Sequence, residues 1–226
     1  MRVVLFDIDG TLIDSGGAGS RALRRALAVH YSLREDVDQI QFDGKTDPQI
    51  VREILAWFNR DDLFSAEEMP SFFSLYLSFL REELSDGPGF RILDGVRELV
   101  TTLYQREDFL IGLATGNIQA GAQLKLARAR LGQFFPFGGF GSDSEDRTEL
   151  TRKAVERAHE HAKGKIDNIF LVGDTPRDII HGKEANVITI AVASGNFSSK
   201  MLASYKPDLV LTGLDPVEPI IEFMSL

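Results

Sequence analysis

The sequence of 226 residues is long enough for one sizeable hydrophobic core, or for a core with a small satellite domain. It contains no cysteine, which excludes disulfides and thiolate metal sites, and its net charge of −9 disfavours a nucleic-acid-binding surface. No apolar run approaches the roughly 20 residues that span a membrane, and the first apolar stretch ends at Phe6. We therefore expect a cytoplasmic protein that binds neither membranes nor nucleic acids.

The first predicted strand, Val3–Phe6, runs directly into the sequence DIDGT, which places Asp7 and Asp9 two residues apart. Neighbouring carboxylates repel each other, and a hard divalent cation such as Mg²⁺ prefers oxygen ligands, so the pair predicts a metal site formed by the Asp7 side chain and the Asp9 carbonyl. Asp7 could then attack a phosphorus atom, while Asp9 protonates the leaving oxygen and later activates water. A strand-ending turn with two solvated aspartates is the alternative interpretation.

The region between the first and second predicted strands is expected to be helical. Its helical segments are Ser20–Tyr31, Asp47–Phe58 and Ala66–Leu84. The last of them carries an aromatic stripe that is typical of core packing. Glycine-rich sequences on both sides of the region indicate hinges. Residues 1–15 and 89–226 are therefore predicted to form one α/β domain, and residues 16–88 an inserted helical domain.

The second predicted strand, Leu110–Ala114, ends in the sequence TGN, and a predicted helix, Ile118–Leu131, follows it. Thr115, together with the backbone amides of Gly116 and Asn117, would form a phosphate-binding turn at the N-terminus of that helix. In the alternative interpretation, Thr115 does no more than cap the helix.

A weaker strand near Phe137–Phe140 and a helix over Glu149–His161 precede the strand Ile169–Val172, which ends in the sequence GDTPRD. Asp174 at this strand end can complete the metal site, and Asp178 could bind the metal through water or orient Asp174. Acidic residues also favour a helix N-terminus through the backbone dipole, and this alternative is compatible with metal binding.

Two further apolar segments, Val187–Val192 and Leu209–Leu211, complete the predicted strands. Apolar strands that alternate with helices favour a parallel sheet covered on both faces. Ligands of such sheets bind beyond the carboxyl ends of the strands. We therefore expect Asp7, Thr115 and Asp174 to face one crevice.

These motifs together resemble the haloacid dehalogenase superfamily, and specifically its phosphoglycolate-phosphatase-like phosphatases. DIDGTL is similar to the first motif of the family, LATGN to the second and GDTPRD to the fourth, and the resemblance covers nearly the whole chain. It implies a Rossmann-like parallel sheet core with an inserted helical cap domain. It also implies that Asp7 is the nucleophile, Asp9 the acid/base, Thr115 a phosphate ligand and Asp174 a ligand of Mg²⁺.

The third motif departs from the family pattern. Relatives carry a Lys-Pro pair before a helix, whereas this chain reads GSDSEDRTELTRK. Arg147 falls where the lysine normally lies, and Lys153, the other candidate, lies further along the helix. Because arginine neutralises phosphate as well as lysine does, we predict that Arg147 binds the substrate. A solvated basic residue on a charged loop is the alternative.

The sequence GKTDPQI, residues 44–50, resembles the cap segment that reaches into the active site of these enzymes. Lys45 and Thr46 are therefore predicted to contact the substrate, and Lys45 could meet a second anionic group. A surface turn is the alternative, in which Asp47 is the N-cap of the following helix and Pro48 is its first residue.

The predicted activity is the hydrolysis of a small phosphomonoester through an aspartyl-phosphate intermediate. A phosphoglycolate-like compound, or a sugar or nucleoside phosphate, is the expected substrate, and the protein is expected to be a monomer or homodimer. A phosphomutase related to β-phosphoglucomutase shares the same constellation and is the alternative. A non-catalytic sensor of phosphate ligands is less favoured, because Asp7 and Asp9 are both intact.

Overall fold

A sheet of six parallel strands lies at the centre of the computed structural model, which describes residues 1–34 and 41–226. The strands in chain order are β1 (Arg2–Phe6), β2 (Ile13–Ser15), β3 (Phe90–Ile92), β4 (Phe109–Thr115), β5 (Gly138–Phe140), β6 (Asn168–Gly173), β7 (Ile188–Val192) and β8 (Leu209–Leu211). The order in the sheet is β5-β4-β1-β6-β7-β8, and β2 pairs with β3 in a separate antiparallel ribbon. The predicted α/β sheet is thus confirmed, with β1 between β4 and β6.

Helices cover both faces of this sheet. The α-helices of the described residues are α1 (Ala18–His30), α2 (Asp47–Trp57), α3 (Met69–Asp86), α4 (Val96–Gln105), α5 (Gln119–Ala129), α6 (Arg147–His161), α7 (Pro176–Glu184), α8 (Ser199–Ser204) and α9 (Glu218–Ser225). Along β1, Val4 and Phe6 pack into a cluster with α4 and α5, whereas Val3 and Leu5 pack with α6. This alternation follows from the two-residue period of a strand. No described helix combines the length and apolar character that a membrane crossing requires.

The helices α1, α2 and α3 lie between β2 and β3 in the chain and build a hydrophobic cluster of their own. The aromatic stripe of α3 contributes Phe72, Phe73 and Tyr76, all buried, and the rings of Phe72 and Phe73 meet edge to face at 5.4 Å between centroids. The inserted helical unit and the core role of its stripe are therefore confirmed. The exact limits of the insert at residues 16 and 88 remain a prediction. The β2–β3 ribbon pairs the two segments of chain that lead into and out of the insert.

The predicted N-cap of α2 is wrong. Thr46 is the N-cap, and its hydroxyl accepts a hydrogen bond from the Gln49 amide at 3.3 Å, so that Pro48 is the second residue of the helix. The extended backbone of Thr46 suits this position. The Asp47 carboxylate instead accepts a hydrogen bond from the backbone amide of Ile118, at 2.8 Å, and so links the insert to the start of α5.

Candidate active site

Three buried carboxylates meet at the carboxyl ends of β1 and β6. Phe6 pairs with Val172 in the parallel register, so the residues that follow the two strands come to the same level of the sheet. Asp7 follows β1, Asp174 follows β6, and Asp178 lies in the first turn of α7. Oxygen atoms of these three side chains lie within 4.8 Å of one another. Each residue is at most 5% exposed.

The two later carboxylates of this group are held by local hydrogen bonds. The Thr11 hydroxyl donates to Asp174 Oδ1 at 3.0 Å. Gly10, with a φ of 81°, lies so close that a Cβ atom there would be 2.3 Å from Asp174 Oδ2. Asp178 accepts hydrogen bonds from the Thr175 amide and hydroxyl at 3.0 and 2.7 Å, which completes a capping box. Asp178 therefore completes the capping box of α7, whose N-cap is Thr175, and faces the cluster at the same time.

Arg147 brings a positive charge to the three carboxylates. Its guanidinium forms an ion pair with Asp178, and Nη2 lies 3.8 Å from Asp7 Oδ2. It is the first residue of α6, two residues before the predicted start of this helix, because the Asp146 carboxylate caps α6 by accepting a hydrogen bond from the Thr148 amide at 2.7 Å. The helix start therefore aims Arg147 into the crevice.

Lys153, the other candidate for the third motif, lies outside the site. It is in the second turn of α6, where its ammonium pairs with Glu156 at 2.6 Å, and its side chain is 42% exposed. Arg147 is only 4% exposed. The geometry brings the charge of Arg147, and not that of Lys153, to the carboxylates.

The carboxylates carry more charge than Arg147 offsets. Burial raises the pKa of Asp7 to about 7 against the opposing charge of Arg147, and the neighbouring Asp178 raises it further. Burial also raises the pKa of Asp174 well above its usual range, with Asp178 and Asp7 acting in the same direction. Three acidic groups with oxygen donors only, compensated by one guanidinium, fit a hard divalent cation such as Mg²⁺, which would keep them ionised.

Asp9 lies apart from the three-carboxylate group, since its carboxylate is turned toward α5. Asp9 Oδ2 accepts hydrogen bonds from Lys125 Nζ at 2.5 Å and from Asn117 Nδ2 at 2.9 Å. Burial acts to raise the pKa of Asp9, but the charge of Lys125 and the hydrogen bonds outweigh it and hold the pKa below its usual value. The backbone carbonyl of Asp9 therefore remains the predicted metal ligand of this residue. The Asp9 carboxylate is not part of the three-carboxylate group.

Lys125 is a site residue that the sequence analysis missed. It is 4% exposed, and its ammonium also donates to Asn117 Oδ1 at 2.6 Å. A signal was present in the sequence, because the apolar residues Ala122 and Ala129 flank Lys125 at helical spacing. Both are buried in the structure. A lysine on the apolar face of a helix needs a buried acceptor, and here Asp9 supplies it.

The turn at residues 115–117 is partly occupied by other groups of the protein. The Asn117 side chain donates to the buried Thr115 hydroxyl at 2.9 Å. Gly116 approaches the insert so closely that a Cβ atom there would lie 2.2 Å from the Lys45 carbonyl. The Asp47 carboxylate accepts a hydrogen bond from the backbone amide of Ile118. The glycine of this turn thus allows the insert to come close, in addition to any contact with phosphate.

The insert segment before α2 lies over this turn. The Lys45 ammonium pairs with Glu53, and Lys45 lines the cavity. Thr46 is fully buried, and its hydroxyl donates to the Glu145 carbonyl at 3.2 Å besides capping α2. The structure brings Lys45 to the cavity, whereas the Thr46 hydroxyl is engaged with the backbone.

A cavity of about 440 Å³ lies between the insert and the carboxyl end of the sheet. Asp7, Asp174 and Arg147 line its sheet side, and Lys45 and Tyr76 line its insert side. This volume is typical of pockets for small molecules. Both parts of the chain therefore shape the space that a substrate would occupy.

Comparisons with known proteins agree with the fold and the motifs. The sequence profile of the haloacid dehalogenase-like hydrolases matches residues 4–192. Over 224 residues the chain is 27% identical to the pyrophosphatase PpaX of Bacillus mycoides, covering 98% of this chain and 97% of that protein. A predicted phosphatase from Clostridium acetobutylicum has a TM-score of 0.73 and 21% identity over 98% of both chains. A β-phosphoglucomutase from Clostridium difficile has a TM-score of 0.71 and 18% identity, covering 99% of this chain and 96% of that one. At these identities the two structures establish the likeness of fold alone.

Proposed function

The chain belongs to the haloacid dehalogenase-like hydrolases, and we propose that it is a Mg²⁺-dependent phosphatase that acts through a phosphorylated Asp7. The observation that carries the proposal is the group of Asp7, Asp174 and Asp178 at the carboxyl end of the sheet, with Arg147 3.8 Å from Asp7. A nucleophilic carboxylate, further carboxylates for a cation and a fixed positive charge are the parts that phosphoryl transfer needs.

In the proposed first step, an Asp7 oxygen attacks the phosphorus atom, and the bond between phosphorus and the leaving oxygen breaks. Asp9 donates a proton to that oxygen as the leaving group departs. In the second step Asp9 removes a proton from water, which attacks the phosphorus of the aspartyl phosphate and regenerates the Asp7 carboxylate with release of phosphate. The pairing of Asp9 with Lys125 favours the ionised form that the second step uses. Asp9 must therefore take up a proton when the anionic substrate binds before it can donate one in the first step.

Mg²⁺, held by Asp7, Asp174, the Asp9 carbonyl and Asp178 directly or through water, would neutralise charge on the phosphoryl oxygens. Arg147 adds a fixed guanidinium beside Asp7 that steadies the charge on the equatorial oxygens. Thr115, whose hydroxyl accepts a hydrogen bond from the Asn117 side chain at 2.9 Å, keeps its own O–H donor for a phosphoryl oxygen. The insert lines one side of the cavity and so shields the reacting atoms from bulk water on that side.

A small phosphorylated metabolite is the proposed substrate, because the cavity is about 440 Å³ and is lined by two parts of the chain. Inorganic pyrophosphate is a second candidate. It is favoured by the relation to the pyrophosphatase PpaX over nearly the whole of both sequences. A phosphomutase would use the same groups but return the phosphoryl group to the substrate, so the release of free phosphate separates the two activities.

The proposal is tested by measuring phosphate release from a panel of sugar phosphates, nucleotides, 2-phosphoglycolate and pyrophosphate, with and without Mg²⁺. We expect turnover that is lost on chelation and restored by Mg²⁺. Asp174→Asn should weaken Mg²⁺ binding in calorimetry. Asp62→Asn is the matched control and should leave Mg²⁺ binding unchanged, because Asp62 is exposed and does not line the cavity. Full turnover after exhaustive chelation would contradict the metal requirement, and no phosphate release from any substrate would contradict the activity.

A further inference from the structure

The Lys125 ammonium has one N–H bond without an acceptor among the described residues. An ammonium group has three N–H bonds. Two of them point to Asp9 Oδ2 at 2.5 Å and to Asn117 Oδ1 at 2.6 Å, and no third acceptor is present among the described residues. Lys125 is buried, yet it lines the cavity. Its remaining N–H bond therefore faces space that a ligand can enter.

Tyr76 presents a second free donor to the same space. The residue is 1% exposed, within the aromatic cluster of the insert, and it lines the cavity. No hydrogen bond joins its hydroxyl to any of the described residues, and the hydroxyl oxygen is not one of the fully buried atoms that lack a partner, so it meets the cavity. Burial, with Asp47 and Asp9 nearby, raises the pKa of Tyr76 well above its usual value, so the hydroxyl stays protonated and able to donate.

Gly19 of α1 leaves the space between these two donors open. A Cβ atom at Gly19 would lie 3.5 Å from Lys125 Nζ and 3.8 Å from the Tyr76 hydroxyl oxygen. These are ordinary contact distances, and the residue is helical, so alanine would fit the fold at this position. The methyl group would nevertheless fill the point on which both donors converge.

We propose that Lys125 and Tyr76, with the gap above Gly19, form a subsite that binds an anionic group on the leaving side of the substrate. This inference rests on the proposed phosphatase function and assigns its leaving-group specificity. Two converging donors without an acceptor select an oxygen-rich anion, either a phosphate or a carboxylate. Lys125 offsets the charge of Asp9, which would otherwise repel such a group.

The location next to Asp9 fits this role. As the bond from phosphorus to the bridging oxygen breaks, the electron pair stays on that oxygen, and Asp9 supplies its proton. A leaving group that carries a second anion must hold that anion within a few ångströms of Asp9. Lys125, which is hydrogen-bonded to Asp9, and Tyr76 are the donors positioned to receive it.

The test compares leaving groups. We would measure kcat/KM for pyrophosphate, for 2-phosphoglycolate and for phenyl phosphate, whose leaving group has no second anion, and express selectivity as the ratio of each anionic substrate to phenyl phosphate. Tyr76→Phe removes one hydroxyl and should lower the ratio about 2-fold to 10-fold. Gly19→Ala should lower it about 10-fold or more, because it blocks both donors. Pyrophosphate and 2-phosphoglycolate distinguish a phosphate from a carboxylate as the group bound.

Matched controls separate the subsite from general effects. Tyr104→Phe on the surface of α4 and Gly164→Ala, where a Cβ atom would meet nothing within 4 Å, should leave the ratio as it is. Lys125→Arg should retain more selectivity than Lys125→Met. Unchanged ratios in both Tyr76→Phe and Gly19→Ala, with phenyl phosphate still hydrolysed, would overturn the subsite alone.

Failure of the proposed function has a different signature. If no substrate turns over, the subsite is tested by calorimetric binding of methylenediphosphonate against methylphosphonate. If the wild type prefers methylenediphosphonate to methylphosphonate and Gly19→Ala loses this preference, the subsite is supported. If the wild type and Gly19→Ala bind methylenediphosphonate with equal affinity, the subsite is contradicted.

Discussion

The candidate site has two unlike halves. The strand-end half consists of side chains at the ends of strands or in the first turn of the following helix, namely Asp7, Thr115, Asp174, Asp178 and Arg147. The helix half consists of side chains from α3, from α5, from the segment that leads into α2 and from the first residue of α2, namely Tyr76, Lys125, Lys45 and Asp47. Strand register and the capped first turns of α6 and α7 bring the first set together, whereas the second set meets only after the helices pack. In the proposed mechanism the strand-end half carries the chemistry, and the helix half shapes the space for the rest of the substrate.

The two halves also differ in charge. In the strand-end half, three carboxylates share the guanidinium of Arg147, which leaves an acidic surplus. In the helix half each lysine already has a carboxylate, since Lys125 pairs with Asp9 and Lys45 with Glu53. The proposed cation would balance the first half, while the second half offers neutral pairs and free donors. This contrast explains how an acidic protein can accept a phosphorylated ligand.

The largest effect that separates the halves is expected from Arg147. Removal of a charge-assisted donor from a phosphoryl-transfer site costs roughly 10²–10³ in rate, so Arg147→Ala should lower kcat by about that factor. Arg147→Lys should recover part of the loss because it keeps the charge. Steady-state phosphate release measures both, with thermal unfolding to verify that each variant is folded.

Lys153→Ala is the control for this prediction, since Lys153 carries the same type of charge on the exposed side of α6. Its kcat should match that of the wild type. A crippled Lys153 variant beside an active Arg147 variant would show that the charge of the third motif has been assigned to the wrong residue.

A smaller effect, on stability, is expected from Asp47 in the helix half. Burial raises the pKa of Asp47 to about 6, against the opposing charge of Lys125. The folded state therefore binds a proton more tightly than the unfolded chain, and stability falls as the pH rises from about 4 to about 6. Asp47→Asn keeps an acceptor for the Ile118 amide and removes the charge, so it should stabilise the protein at pH 7.5 by about 1–2 kcal/mol, a value reduced because Asp47 is only partly buried.

Urea unfolding at pH 4 and pH 7.5 measures this difference, which should shrink toward zero at the lower pH. Asp62→Asn, at an exposed position, should change stability little at either pH. Equal destabilisation of Asp47→Asn at both pH values would mean that the hydrogen bond, and not the charge, dominates at this contact.

The smallest effect is expected from Lys45, because its charge is already paired with Glu53. Lys45→Ala should raise KM about 2-fold to 5-fold for a doubly anionic substrate and less for phenyl phosphate, in line with the weak coupling of solvated ion pairs. Glu53→Gln should have the opposite effect, since it releases the lysine. Equal changes for both substrates would remove Lys45 from substrate selection.

The sequence predicts the placement of the strand-end half because each of its residues lies at the end of a recognisable strand or near the start of a recognisable helix. Asp7, Thr115 and Asp174 follow apolar strands, and parallel strands bring their carboxyl ends to one edge. Its position before a predicted helix also indicates Arg147, although that helix begins two residues earlier than predicted, where Asp146 caps it. Sequence patterns do not predict hydrogen bonds between side chains and groups that lie far apart in the sequence.

The helix half is where such partners act. Asp47 looks like an N-cap in the sequence, yet Thr46 takes that role and frees the Asp47 carboxylate for the Ile118 amide, 71 residues away. Lys125 is 116 residues from Asp9, and nothing in the motifs links them. The β2–β3 ribbon has three residues in each strand, too few for a period to be recognised. Tertiary packing determines these contacts.

The central claim, that Asp7 is phosphorylated during turnover, has one direct test. The enzyme is mixed with Mg²⁺ and a substrate found by phosphate release, quenched in acid within the first turnover, digested and examined by mass spectrometry. The account predicts phosphate on the peptide that contains Asp7, labile to hydroxylamine as an acyl phosphate is, and neither phosphopeptide nor turnover in Asp7→Asn. Phosphate on another residue, or undiminished turnover by Asp7→Asn, would contradict it.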